Sequence, residues 1–442
     1  MTARARAVCR RTLALTSMIG SLLTIGGTIA PAALADTMRE RQWYLETMEA
    51  ERIWKVSTGQ GITVAVLDTG VQSSQPELGG KVLAGKNFVG RDDADSQVDR
   101  DGHGTAMATL IAGNAASEQH VVGLSPGVNI LPVKVLGTTA DEARNSVKAL
   151  VQGIHYAADS KAQVINISMG FEEFTLRGDD QKQIQQAVDY AIQRGKLLLA
   201  ATGNNGDRGN DVAYPAASAG VAGVGAVDKA LNVVKYSTYG SQVALAAAGE
   251  EIPIPCNGKS GYCRSGGTSQ ATAIASASAA LIWSKHPDWT GNQVLRVMIQ
   301  TAGTPTEGEV PSRYVGYGGV RPRIPLLEGK GDPGPPDVNP LVAAKAGASP
   351  SPSMKSAPPG QPTRSTPAGS PAKETAGEGS NVFSWVIGGA AAAAAVGAGV
   401  FLLLRRQSRS QAATSPDGHP YADLPHGSPP PPMTPPDRHL GG

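Results

Sequence analysis

Between Arg41 and Leu327 two kinds of segment alternate, and that alternation limits the folds open to the chain. "ITVAVL" (Ile62 to Leu67), "NILPVKVL" (Asn129 to Leu136), "QVINIS" (Gln163 to Ser168) and "KLLLAA" (Lys196 to Ala201) are short apolar runs rich in Val, Ile and Leu. Between them lie amphipathic helical patterns such as "SVKALVQGIHYAADSK" and "QKQIQQAVDYAIQRG". A strand with one wet face alternates polar and apolar residues, whereas a near-continuous apolar run is covered on both faces. The pattern therefore predicts an α/β fold, a mostly parallel sheet with helices on both faces, in a stretch long enough to bury a substantial core.

The flanking sequence has a different character. Arg4, Arg6, Arg10 and Arg11 precede an apolar run from Leu13 to Ile29, and "ALA" (Ala33 to Ala35) ends it, the pattern of a cleavable signal peptide over residues 1–35. Residues 36–327 then form the globular domain with a short N-terminal extension. Residues 328–381 shift to Pro, Gly, Ser, Ala and Lys, the composition of a flexible linker. Residues 382–404, "VFSWVIGGAAAAAAVGAGVFLLL", carry no charge and are long enough to cross a bilayer as one C-terminal transmembrane helix. Arg405, Arg406 and Arg409 follow directly, which places the Pro-rich tail, 405–442, in the cytoplasm and the globular domain outside. Cys9 leaves with the signal peptide, so Cys256 and Cys263 remain as an even pair in an oxidising compartment, and a disulfide is the natural reading. A net charge of +2 with only 17% charged residues offers no electrostatic drive toward nucleic acid.

Four polar residues stand where chemistry is expected. Asp68 follows the first apolar run. His103 sits between glycines in "DGHGTAMATLIAG", Asn204 follows another run in "AATGNNG", and Ser269 opens the small-residue helix of "GGTSQATA". Ligands of parallel α/β sheets bind at the carboxyl ends of strands, so these groups can converge on one edge. Each also has a bland reading: Asp68 in a turn, His103 as a turn residue, Asn204 in a left-handed turn, Ser269 as a helix cap. Together they meet the needs of acyl transfer. A serine is a weak nucleophile until an imidazole takes its proton, the imidazole needs a buried carboxylate, and the oxyanion needs fixed donors.

The order Asp, His, Ser, with "VLDTG", "DGHGTAMA", "AATGNNG" and "GGTSQATA" in sequence, resembles the four diagnostic motifs of the subtilases over Arg41 to Leu327. The resemblance implies a subtilisin-like fold and a serine endopeptidase acting on protein or peptide substrates. It makes Asp68 the orienting acid, His103 the general base and acid, and Ser269 the nucleophile, with Asn204 and Ser269 forming the oxyanion hole. "NISMG" is similar to the segment that pairs with an extended substrate, through Ser168 and Gly170. Ala201, Gly203 and Ala213 would line the primary specificity pocket. Ala213, in "DVAYPA", stands where broad-specificity subtilisins have glycine, which implies a preference for small or medium apolar P1 residues.

The layout of signal peptide, subtilase domain, Pro-rich spacer and membrane helix is similar to that of the mycosins, the membrane-anchored subtilases of type VII secretion systems. That narrower resemblance implies the secretion machinery as a partner. It also leaves open an alternative, a structural subunit that stabilises a secretion complex with little required proteolysis. The chain departs from the common subtilase pattern at Ala273, where proline is usual, and at Gln270, where an apolar residue is common. Little chain lies between Asp36 and Ile62 for a large folding prodomain, as in mycosins. No cofactor is required by this chemistry. Structural calcium is common in subtilases, yet no acidic cluster in the sequence matches a site well enough to name ligands.

Overall fold

Residues buried from both sides become the centre of a sheet. The structure, a computed structural model, describes residues 37–90, 95–114, 117–137, 146–256 and 261–345. Strands β1 (Thr63–Asp68), β2 (Lys86–Asn87), β3 (Asn129–Lys134), β4 (Val164–Ile167), β6 (Leu197–Ala201), β8 (Ala222–Val227) and β9 (Val243–Ala248) form one parallel sheet in the order β2-β3-β1-β4-β6-β8-β9. β5 (Phe171–Glu172) pairs with β7 (Ala213–Tyr214), and β10 (Ile252–Pro255) with β11 (Tyr262–Ser265), as small antiparallel ribbons. Four of the seven sheet strands are the apolar runs of the sequence. β8, "AGVGAV", and β9, "VALAAA", are built from residues too small to announce themselves.

Side chains of a strand alternate between faces, and each face has its own core. Val64, Val66, Val164, Leu197 and Leu199 join one cluster, while Ala65, Leu67, Ile165, Ile167 and Leu198 join the other. Helices α2 (Ser146–Asp159) and α3 (Asp180–Gln193) cover the second face. The first is covered by α1 (His103–Ala112), α4 (Thr268–Lys285) and α5 (Gly291–Gln300). Every residue of α4 from Thr268 to Trp283 is buried, which explains its Ala, Ser and Thr content. Its hydroxyls need partners when buried, and they have them. Ser276 Oγ donates to Asn166 Oδ1 at 3.0 Å, and Thr272 and Ser278 bond back to Thr268 O and Ile274 O. Ser57 and Ser125 reach in to the α4 carbonyls of Leu281 and Ala277.

The N-terminal extension is woven into this core. Trp43, Tyr44, Leu45 and Ile53 are buried on two short helical turns, and Gln42, fully buried, donates to Val122 O at 2.7 Å while accepting from Val122 N at 2.9 Å.

The Pro- and Gly-rich stretch read as a free linker from residue 328 behaves differently: as far as Lys345 it lies against the body. Arg296 of α5, 8% exposed, aims its guanidinium at the carbonyls of Pro333, Pro335 and Val338. Thr290 and Asn292 donate to Pro336 O, Gln293 to Gly334 O, and Asn339 to Gly220 O. A buried guanidinium must place its N–H groups on acceptors, and proline carbonyls are free to accept. Composition undervalued this stretch because the anchor is a distant arginine. The segments 1–35, 382–404 and 405–442 lie outside the described residues. Among the described residues no helix is long and apolar enough to cross a membrane.

Candidate active site

The strand order reverses around β1 and β4: the chain winds from β1 to β3 and β2 on one side, and through β4, β6, β8 and β9 on the other. The carboxyl ends of strands flanking such a reversal open a crevice. Asp68 ends β1, Ser168 follows β4, and Thr202, Gly203 and Asn204 follow β6. Ser168, Gly170, Ala201, Gly203, Asn204, Ala213 and Ser269 meet at this end of the sheet, where Asp68 also ends its strand.

Asp68 is fully buried and its Oδ1 lies 2.7 Å from His103 Nδ1, while also accepting Thr69 N–H at 2.8 Å. Asp68 Oδ2 has no protein partner among the described residues. His103 is the first residue of α1, with a third of its side chain exposed. The flanking glycines have separate reasons. Gly102 has φ 92°, the left-handed region, and a Cβ on Gly104 would strike the Gly70 carbonyl and lie 3.0 Å from Asp68 Cβ. The Asp68 carboxylate pushes the His103 imidazole up to about 9 against the opposing effect of burial, with Asp101 and Asp99 adding to the rise.

A residue the sequence reading missed holds this helix start. Asp99 Oδ1 accepts from Thr69 Oγ1 and Gly102 N at 2.9 Å, and its Oδ2 accepts from Thr105 N and Oγ1 at 2.9 and 2.7 Å. Thr69 Oγ1 in turn takes the N–H of Gly104 at 3.0 Å. An aspartate four residues before the histidine was the available signal.

Ser269 is the second residue of α4 and 8% exposed. Its hydroxyl donates to Ser168 O at 2.8 Å, and Ser168 Oγ donates to Ser269 O at 3.1 Å. The structure therefore pairs Asp68 with His103 but turns the serine hydroxyl toward the β4 edge. Asn204 is exposed, yet its amide is oriented: Oδ1 accepts from Thr268 N at 2.9 Å and Thr268 Oγ1 at 3.0 Å. With the oxygen fixed on Thr268, the Nδ2 donor faces the other way, and a Cβ on Gly267 would lie 3.3 Å from it.

Ser168, Gly170, Ala201, Gly203, Asn204, Ala213 and Ser269 share a cavity of about 300 Å³. A larger one, about 700 Å³, lies between the N-terminal turns and β8–β9 and contains none of these groups. Gln270 is buried and reaches back to Ser265 Oγ at 2.9 Å, and Ala273 sits fully buried within a regular helix. Cys256 and Cys263, with Cα atoms 6.0 Å apart, are joined as a disulfide across β10–β11, the ribbon that leads into α4. Among the described residues no group of three or more His, Cys, Asp or Glu side chains is placed to hold a metal ion.

Residues 59–318, more than half of the chain, match the subtilase family, peptidase S8. The chain belongs to the subtilase family. This subtilase is 35% identical over 245 residues to thermitase of Thermoactinomyces vulgaris, covering 55% of this chain and 83% of that one. It is 33% identical over 243 residues to an intracellular serine protease of Paenibacillus polymyxa, covering 54% and 71%. Among solved structures it is similar to MycP1 from Mycobacterium smegmatis, with 27% identity, a TM-score of 0.59, and coverage of 70% of this chain and 90% of that one. It is also similar to the MycP3 protease from the type VII (ESX-3) secretion system, with 28% identity, a TM-score of 0.54, and coverage of 64% and 87%. The subtilase is a serine endopeptidase, and its fold is similar to that of the mycosins.

Proposed function

We propose that this subtilase cleaves extended peptide segments outside the cytoplasmic membrane, through an Asp68–His103–Ser269 triad, as a membrane-anchored component associated with type VII secretion. The observation that carries the catalytic reading is the buried Asp68 bonded to His103 Nδ1 at the sheet edge where Ser269 opens α4. That bond sets the imidazole tautomer and leaves Nε2 as the base. In this reading the serine side chain rotates away from Ser168 O so that Oγ can give its proton to Nε2, a contact that apo active sites often leave unmade. His103 then takes the hydroxyl proton, Oγ attacks the scissile carbonyl, and the imidazolium returns the proton to the leaving amine. Water hydrolyses the acyl-enzyme by the same steps in reverse order. The Ser269 N–H at the start of α4 and Asn204 Nδ2 receive the oxyanion of both tetrahedral intermediates.

A fluorophosphonate probe, which reacts only with an activated serine, tests this reading. Ser269 is expected to be labelled, and the rate should follow the unprotonated imidazole. Because Asp68 raises His103, the base form appears only as pH rises, so the acid limb should lie above the usual 6.5 and extend toward about 9. Asp101→Asn removes one of the charges that raise it and should move the limb to lower pH. No labelling at any pH would favour the alternative of a non-proteolytic stabilising subunit, and a limb at or below 6.5 would detach His103 from this electrostatic role.

The anchoring and topology rest on the sequence of residues 1–35 and 382–404, and the secretion context on the resemblance to MycP1 and MycP3. Protease added to intact spheroplasts is expected to release a soluble, probe-reactive fragment. Since Arg296 and its neighbours hold the chain as far as Lys345, its new C-terminus should fall within residues 346–381. Full protection would reverse the topology.

A further inference from the structure

The cavity beside Ser269 does not end on apolar side chains. Its lining passes from Ser168, Gly170, Ala201 and Ala213 to Glu172, Asn205 and Asp211. The Asn205 amide donates one N–H to Glu172 Oε1 at 2.9 Å and the other to Asp211 Oδ2 at 3.1 Å, while its Oδ1 accepts from Thr238 Oγ1 at 2.7 Å. One asparagine thus holds two carboxylates at a fixed spacing, and each keeps its second oxygen free of that amide. No lysine or arginine among the described residues lies within ion-pair distance of either. Both are half-buried, where a charge is screened less than on open surface.

We infer that Glu172 and Asp211 make this the pocket for a basic P1 residue, so that the protease cleaves after arginine or lysine. This rests on the serine-protease reading of Ser269 and deepens it. It departs from the small apolar preference expected from Ala213 alone. The Ala213 methyl lies 3.1 Å from where a Gly170 Cβ would stand, so it narrows the walls against a broad aromatic ring. A slim aliphatic stem passes such a gap, and a cation at its tip meets two carboxylates without desolvating against an apolar floor.

The test uses the full-length protein in detergent and peptides that differ only at P1: Arg, Lys, Leu, Ala or Glu. Arg and Lys are expected to exceed Leu in kcat/KM by about ten-fold or more, with Glu lowest. The Arg-to-Leu ratio should fall as salt is raised, and should collapse toward one in Glu172→Gln/Asp211→Asn. Fluorophosphonate labelling reports that each variant is folded. If the double variant fails to fold, the wild-type ratio and its salt dependence still decide. A ratio favouring Leu or Ala, or one indifferent to salt and to both substitutions, overturns the basic pocket while leaving the protease standing. Absence of both cleavage and labelling overturns the two together.

Discussion

Ser269→Ala should lower peptide hydrolysis by about 10⁴–10⁶-fold with the fold intact, the scale on which a triad member acts. The hydroxyl's only described bond in the resting structure is to Ser168 O, a single buried contact that lines the cavity beside Asn204. Ser168 keeps its own tie to the α4 backbone through Ser269 O, which the substitution leaves in place. Little stability should therefore be lost, and unchanged thermal unfolding beside abolished turnover is the expected pair of results. Substantial turnover in this variant would remove Ser269 from the nucleophile's role. Asp68→Asn should also be severe, because the amide of the new side chain competes as a donor at Nδ1 and selects the wrong imidazole tautomer.

The second large effect is expected at Asn204. Loss of one oxyanion donor costs about 10²–10³ in kcat, roughly 3–4 kcal/mol of transition-state stabilisation. The structure adds a distinction between two substitutions. Asn204→Ala removes both the Nδ2 donor and the Oδ1 acceptor, leaving the N–H and hydroxyl of fully buried Thr268 without their partner. Unpaired buried donors cost about 1–3 kcal/mol, so this variant should lose stability as well as rate. Asn204→Asp keeps an acceptor on Thr268 and turns a carboxylate oxygen toward the oxyanion. It should be the more stable of the two and at least as slow, with KM changing less than kcat in both. Equal unfolding temperatures for the pair would mean that Thr268 does not depend on this amide, and a normal kcat in either would end the oxyanion assignment.

How much of this was legible in the chain follows from which forces leave a local trace. Strands buried on both faces write long apolar runs, so β1, β3, β4 and β6 could be read directly, and with them the edge where Asp68 and Asn204 stand. β8 and β9 could not, because strands packed closely against α4 are mostly alanine and glycine, whose small side chains leave too few large apolar residues to mark a run. Ser269, His103 and their glycines sit in short motifs whose chemistry demands those residue types, and the structure gives each glycine at His103 a steric reason. Asp99 left only its place four residues before His103, whereas Thr268 and Asn205 act on partners across the fold that nothing next to them in sequence advertises. The same holds for Arg296, whose acceptors arrive some forty positions later. Long-range polar contacts of this kind are written only in three dimensions.

The docking of the chain along α5 fixes which pole of the domain the C-terminal segment leaves from. Gly291 at the start of α5 donates to Gly195 O just ahead of β6, and Asn339 bonds Gly220 just ahead of β8. These are the amino ends of the strands, whereas the cleft opens at their carboxyl ends, with α4, a rod of about 27 Å, running between. The last described turn, Pro340–Lys345, therefore lies at the pole opposite the cleft. Peptide enters at one pole while Arg296 and its carbonyl cradle close the other, so a substitution at Arg296 should loosen the packing along α5 without touching His103 or Ser269.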